Sequence, residues 1–244
     1  MLLATSSIFK CSLENADEKV GTLHNLLFDD RSWAVRYMVV DTGGWLDGRR
    51  VLLAPSVVEQ REWPNRRLWT SLTRKQVEDA PPVDADLPVS RQNEVALAEH
   101  YAWGYYWGIP PAHPIDTEGD SHLRSARDVM GYRIEASDGD IGHVEDLVLD
   151  DEAADDGLWE FRYLVVDTRN WLPGRRVLVA PLWADEVRYG DGGISLRLSR
   201  EQVKNSPEYT PDAPINREYE EVLFDYYGQP KYWIAHSKAH GSPK

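Results

Sequence analysis

A mainly β fold, in which two tandem small antiparallel β-barrels are each followed by short helical segments, is predicted by three observations. The first is an internal repeat. Arg36-Tyr37-Met38-Val39-Val40-Asp41-Thr42 returns as Arg162-Tyr163-Leu164-Val165-Val166-Asp167-Thr168, and Gly48-Arg49-Arg50-Val51-Leu52-Leu53-Ala54-Pro55 returns as Gly174-Arg175-Arg176-Val177-Leu178-Val179-Ala180-Pro181. A fixed-period echo is the mark of a duplicated structural unit. The second is the spacing of short apolar runs at about 8 to 12 residues, which favours antiparallel strands over alternating β/α units. The third is a pair of helix-start signals placed after the strands of each copy.

The copies stand 126 positions apart from Trp33 (Trp159) to Trp107 (Trp233), and 121 apart upstream, where Val20-Gly21 matches Ile141-Gly142 and Asp29-Asp30 matches Asp150-Asp151. The difference falls in the polar stretch Asp151 to Gly157, where a hairpin loop can lengthen without disturbing a core. With 244 residues, each half is long enough to bury its own core. The expected organisation is a first domain over 1–112, a linker over 113–124, a second domain over 125–235 and a tail over 236–244.

Element by element, Leu26-Leu27-Phe28, Tyr37-Met38-Val39-Val40 and Val51-Leu52-Leu53 read as strands, as do their counterparts. Gly43-Gly44-Trp45-Leu46-Asp47-Gly48, Ser137-Asp138-Gly139-Asp140 and Gly190-Asp191-Gly192-Gly193 supply turn chemistry. Thr73-Arg74-Lys75-Gln76 and Ser199-Arg200-Glu201-Gln202 match the capping box, and Pro81 and Pro207 stop those helices. A second helix is expected from Ser90 to about Trp103 and from Asn216 to about Tyr227. Glu94 and Glu220 correspond, as do Leu97 and Leu223, which puts one charge and one apolar contact on matching helix faces. Pro110, Pro111 and Pro114 stiffen the linker.

Charge narrows the classes of partner. The net charge is −14, from 27 basic and 41 acidic residues. Such a balance works against a nucleic-acid backbone as the main partner. It is also lopsided: residues 1–112 carry 12 Lys/Arg and 15 Asp/Glu, and the remainder carries 15 and 26. The single Cys11 excludes an internal disulfide framework and fits a reducing compartment, so a cytoplasmic location is expected. No run of about 18 apolar residues occurs, so membrane contact is expected only through a partner.

Val20-Gly21 with Leu26, Tyr37 to Asp41, Arg50 to Pro55, and Leu72 to Pro81 resemble, in that order, the PRC-barrel family. The second copy fits more closely, through Ile141-Gly142-His143-Val144-Glu145-Asp146-Leu147-Val148-Leu149-Asp150, Tyr163 to Asp167, Arg176 to Pro181 and Leu198 to Pro207. The family is known from the cytoplasmic part of the photosynthetic reaction-centre H subunit, from a ribosome maturation factor and from stand-alone prokaryotic proteins. Asp212 to Tyr227 and Tyr232-Trp233 look more like the reaction-centre branch, although the barrel occurs twice here. The resemblance implies a small β-barrel that docks onto partners, and it supplies no catalytic residue.

Reactive constellations do not emerge from the residues. The nucleophile turn Gly-x-Ser-x-Gly, the phosphate loop and the dinucleotide glycine motif are missing. Cys11 has Tyr132 in its equivalent place, and none of the seven histidines joins a metal-ligand spacing except His236 and His240 in the tail. Asp150 to Asp156 lacks the alternation of a calcium loop. No catalytic, cofactor or metal residue is therefore expected. Trp45, Arg49 and Arg50, with Trp171, Arg175 and Arg176, are the candidate interface, against a structural role in which Trp covers the barrel and Arg pairs across the hairpin. Arg61, Trp63, Arg66, Arg67 and Trp69 interleave cations with aromatics and form a weak anionic-ligand candidate, against an exposed hairpin whose Trp side chains fold back.

The function these readings point to is a non-catalytic binding or adaptor protein, docking onto a larger assembly related to photosynthesis or membrane complexes. Protein partners and a homodimer are expected, and direct nucleic-acid contact is disfavoured. The alternatives are an RNA- or ribosome-linked assembly factor and a small-molecule binding or enzymatic role.

Overall fold

The computed structural model describes residues 1–81, 91–106, 122–152, 158–168, 175–211 and 213–234. Its elements run β1 (Leu2–Ala4), α1 (Thr5–Ile8), β2 (Ser12–Glu14), β3 (Lys19–Asp29), β4 (Ala34–Asp41), β5 (Arg50–Leu53), β6 (Gln60–Glu62), β7 (Arg67–Trp69), α2 (Arg74–Glu78), α3 (Arg91–Tyr101), β8 (Leu123–Ser125) and α4 (Ala126–Val129). There follow β9 (Arg133–Ala136), β10 (Gly139–Asp150), β11 (Trp159–Asp167), β12 (Arg176–Val179), β13 (Ala184–Arg188), β14 (Gly193–Leu196), α5 (Arg200–Lys204) and α6 (Arg217–Tyr227). The fold is mainly β, with mixed strand pairing and few, short helices. Among the described residues no helix is long and apolar enough to cross a membrane.

Two compact units result. One comprises Met1, Leu3–Val129 and Leu149–Phe161; the other comprises Leu2, Met130–Val148 and Arg162–Lys244. In the first unit the strand order is β5-β4-β3-β2-β7-β6, and in the second it is β12-β11-β10-β9-β14-β13, position for position the same. Both orders end open, at β6 and at β13, so among the described residues the strands do not close into a ring. The antiparallel expectation also needs correction: β2 pairs β7 in parallel and β9 pairs β14 in parallel. Alternation and turn residues report only local hairpins. Strands far apart in sequence, such as Ser12–Glu14 and Arg67–Trp69, have no tight turn to fix their direction.

In the first unit β4 is buried on both faces except at Arg36 and Asp41, which explains its unbroken apolar run. Leu27, Tyr37, Val39 and Leu52 from its sheet pack with Leu97 of α3 and Leu123 of β8, and Tyr101 and Trp103 lie against that cluster. Trp159 and Phe161, both buried, belong to the same unit. Phe161 meets Phe28 edge to face at 5.3 Å, and Trp159 meets Trp63 at 5.6 Å. In the second unit α6 buries Leu223, Phe224 and Tyr227, with Phe224 5.2 Å from Trp183 and 5.0 Å from Trp233.

Local chemistry repeats with the topology. Pro55 and Pro181 each open a 3-10 turn straight after β5 and β12, because proline cannot donate to a continuing ladder. Both capping boxes form: Thr73 and Ser199 accept from the N–H of Gln76 and Gln202, whose side chains reach back to the cap. Gly21 and Gly142 lie where a β-carbon would sit 2.8 Å from the Asp41 carbonyl oxygen and 1.9 Å from that of Asp167, respectively. Glycine in β3 and β10 is thus demanded by the close approach of the next strand.

Candidate functional site

The arginines singled out by the repeat are held by their own units. Arg49 donates from Nη2 to the carbonyls of Val77 (3.0 Å) and Glu78 (3.3 Å), at the C-terminal end of α2. Arg175 donates to Ser206 O at 2.5 Å, two residues past the end of the equivalent helix. A cation on those carbonyls satisfies groups that a helix end leaves open. Arg176 grips Glu145 through both Nε and Nη2, the latter at 2.6 Å from Oε1, and stands opposite Asp167 in the ladder. Arg50 stands opposite Asp41 in the matching ladder. Trp45 is half-buried and donates from Nε1 to Val20 O at 2.9 Å. Trp171 lies outside the described residues.

The second set divides. Trp63 donates from Nε1 to Asp151 Oδ2 at 2.6 Å, and Arg61 donates from Nη1 to the Asp151 carbonyl at 2.7 Å. The buried Asp151 therefore engages the two residues nearest the start of the cluster. Trp69 Nε1 reaches Glu62 Oε1 at 3.2 Å, while Arg66 and Arg67 remain exposed at the tip, Arg67 3.8 Å from Glu14. Cys11 is buried, and burial pushes its thiol up, away from the thiolate that a nucleophile requires.

Each unit also contains a buried carboxylate between two tyrosines. Glu220 is 2% exposed; its Oε1 accepts from Tyr163 (2.6 Å) and Tyr232 (2.8 Å), and its Oε2 meets Arg217 at 2.9 Å. Arg162 lies over the Tyr232 ring at 4.3 Å. In the first unit Glu94, 0% exposed, accepts from Tyr37 (3.2 Å) and Tyr106 (2.6 Å), with Arg36 4.0 Å over the Tyr106 ring. His122, 3.4 Å from Glu94 Oε1, supplies the basic neighbour there. Donors converging on buried acceptors make these networks parts of the core.

Burial pushes Tyr232 up to about 12, and Glu220 adds to the effect; burial likewise lifts Tyr101 and Tyr227 to about 12. A phenol whose folded value is raised contributes stability that is complete below its ordinary value near 10 and is lost as pH rises toward 12. Unfolding is accordingly expected to begin as pH passes 10, with tyrosinate absorbance rising in step with loss of circular dichroism. Ionisation of Tyr101, Tyr227 and Tyr232 with the fold intact up to pH 12 would contradict this account.

One hollow in the first unit gathers residues that the sequence reading did not assemble. It has a volume of about 560 Å³ and is lined, among the described residues, by Lys10, Lys19, Arg74 and Arg127, with His24, Trp45 and a single carboxylate, Asp41. Three elements and the Lys10 turn supply these cations. Lys10 follows α1, Lys19 opens β3, Arg74 opens α2 and Arg127 lies on α4. Arg127 donates from Nε to the His24 carbonyl at 2.6 Å and stacks on Phe9 at 4.4 Å, leaving its charge without a carboxylate among the described residues. Arg74 lies over the Trp45 ring at 4.9 Å and pairs with Glu18 at 2.8 Å.

The equivalent positions of the second copy carry different charges. Gly131 stands for Lys10, Asp140 for Lys19 and Glu145 for His24, while Arg200 alone keeps the cation of Arg74. The same strand order forms around either set, so the cations of the first unit are not required by the backbone they decorate. The sequence signal was the milder net charge of the first half; what it lacked was the fold that brings separated residues to one hollow. Comparison with protein-family models gives no match, and the search of curated proteins gives none.

Proposed function

We propose that this chain is a non-catalytic adaptor, made of two PRC-barrel-like modules whose outer surfaces dock onto a larger assembly of the reaction-centre or membrane-complex type. The observation that carries the reading is a single backbone plan used twice with divergent decoration. Arg49, Arg175 and Arg176 bond within their own units and both Glu–Tyr networks are buried, whereas surface charge differs between equivalent positions. Keeping the scaffold while varying the outside suits two modules that hold different partners.

Self-association belongs to the same reading. Leu182, Val222 and Tyr226 are exposed apolar side chains of the second unit, and Val222 and Tyr226 lie four apart on α6.

Affinity capture with the full chain, followed by mass spectrometry, tests the proposal. Arg66→Glu/Arg67→Glu on the first unit and Asp185→Lys/Glu186→Lys on the second alter exposed surface charges. Each pair is expected to remove a different subset of captured proteins, while an untagged copy of the chain is retained by a tagged one. Capture of no specific protein, or loss of the same set by both pairs, would sink the two-partner reading.

A further inference from the structure

We propose that the cationic hollow of the first unit is a binding site for a small phosphorylated molecule, a role beyond adaptor docking and independent of it. Its volume of about 560 Å³ falls within the range of small-ligand sites, and among the described residues its lining holds four cations and a single carboxylate. Lys10, Lys19 and Arg127 carry no ion pair among the described residues, so the hollow presents an excess of positive charge. A monocarboxylate would leave most of that excess uncompensated. A phosphate ester or a pyrophosphate brings two or more negative charges and the tetrahedral oxygens that guanidinium and ammonium donors match. Trp45 gives the site an apolar wall for the organic part of such a ligand.

The backbone at Lys10 supplies an independent argument. Lys10 sits at φ 74°, a left-handed conformation that disfavours side chains, with its N–H donating to Leu23 O at 2.8 Å. In the second copy the equivalent residue is Gly131, at φ 100°, the residue such a conformation prefers. The first copy thus keeps a lysine where glycine would relieve strain, on the rim of the hollow. Backbone strain of this kind is retained where a side chain is needed in place. Lys19 and His24, set against Asp140 and Glu145, repeat the contrast.

Isothermal titration of the full chain with inorganic pyrophosphate at low salt tests the site, with citrate as a comparison. Pyrophosphate is expected to bind, more tightly than citrate, and to weaken steeply as salt rises. The variants Lys10→Gly and Lys19→Asp install residues that the second copy already uses, so both are expected to fold. Each should weaken pyrophosphate about tenfold or more, while Lys10→Gly leaves the melting temperature unchanged or raised. Phosphatidylcholine vesicles carrying phosphatidic acid form the second arm. Lys10-dependent sedimentation without heat from pyrophosphate would place the phosphoryl group on a lipid and overturn a small soluble ligand. Absence of binding in both arms, citrate binding as tightly as pyrophosphate, or pyrophosphate affinity untouched by both variants would overturn the site itself.

Discussion

Gly142→Ala is expected to cost the second unit at least about 3 kcal/mol, or to prevent its folding, because the new methyl cannot be accommodated. A β-carbon there would stand 1.9 Å from the carbonyl oxygen of Asp167 and 2.9 Å from its carbon, both backbone atoms of β11. Backbone in the middle of a sheet cannot step aside as a flexible side chain can. The φ of 155° adds its own penalty for an L side chain. Gly21→Ala provides the graded comparison. Its nearest clash is the Val40 side chain at 2.4 Å, with the Asp41 carbonyl at 2.8 Å, so partial relief by a valine rotamer change is available. Urea unfolding followed by tryptophan fluorescence should show both variants destabilised, Gly142→Ala the more so. Equal midpoints for Gly142→Ala and the parent would refute the close-approach account of β10 and β11.

Glu220→Ala is expected to destabilise by about 3 kcal/mol, since it removes the acceptor shared by two tyrosines and opens a void under α6. Tyr163 is 1% exposed, so its hydroxyl has no water to turn to when Glu220 Oε1 is gone. Arg217 is half exposed and can be solvated, which keeps the loss below that of a fully buried ion pair. Glu220→Gln preserves an acceptor at nearly the same place and should recover more than half of the loss. The double variant Tyr163→Phe/Glu220→Leu removes donor and acceptor together, and is expected to be more stable than the sum of the two single effects. Additive effects in that cycle would show that Tyr163 and Glu220 do not act as a pair.

Much of this scaffold was legible because its signals are local. Thr73 with Gln76, and Ser199 with Gln202, need only three residues of spacing to announce a helix start, and both caps form. The pairing of Glu94 with Glu220 and of Leu97 with Leu223 rests on the 126-residue register of the repeat, and all four are buried. Parallel pairing of β2 with β7 and of β9 with β14 was not legible, because nothing in either strand records the direction of a distant partner. Sequence equally could not tell that Arg61 and Trp63 would meet Asp151, some 90 residues on. The cationic hollow was hidden for the same reason: Lys10 and Arg127 are far apart in the chain, and one comes from each side of the repeat boundary.

The first unit is completed by chain that belongs to the later copy: β8 pairs with β3, α4 supplies Arg127, and Trp159 and Phe161 return to its core. A deletion that restored a single copy would therefore strip the survivor of a strand, a helix and its two aromatic fillers. The boundary of the repeat in sequence therefore does not coincide with the boundary of the fold, and a cut at the former would leave part of β3, Phe28 and Trp63 without their partners.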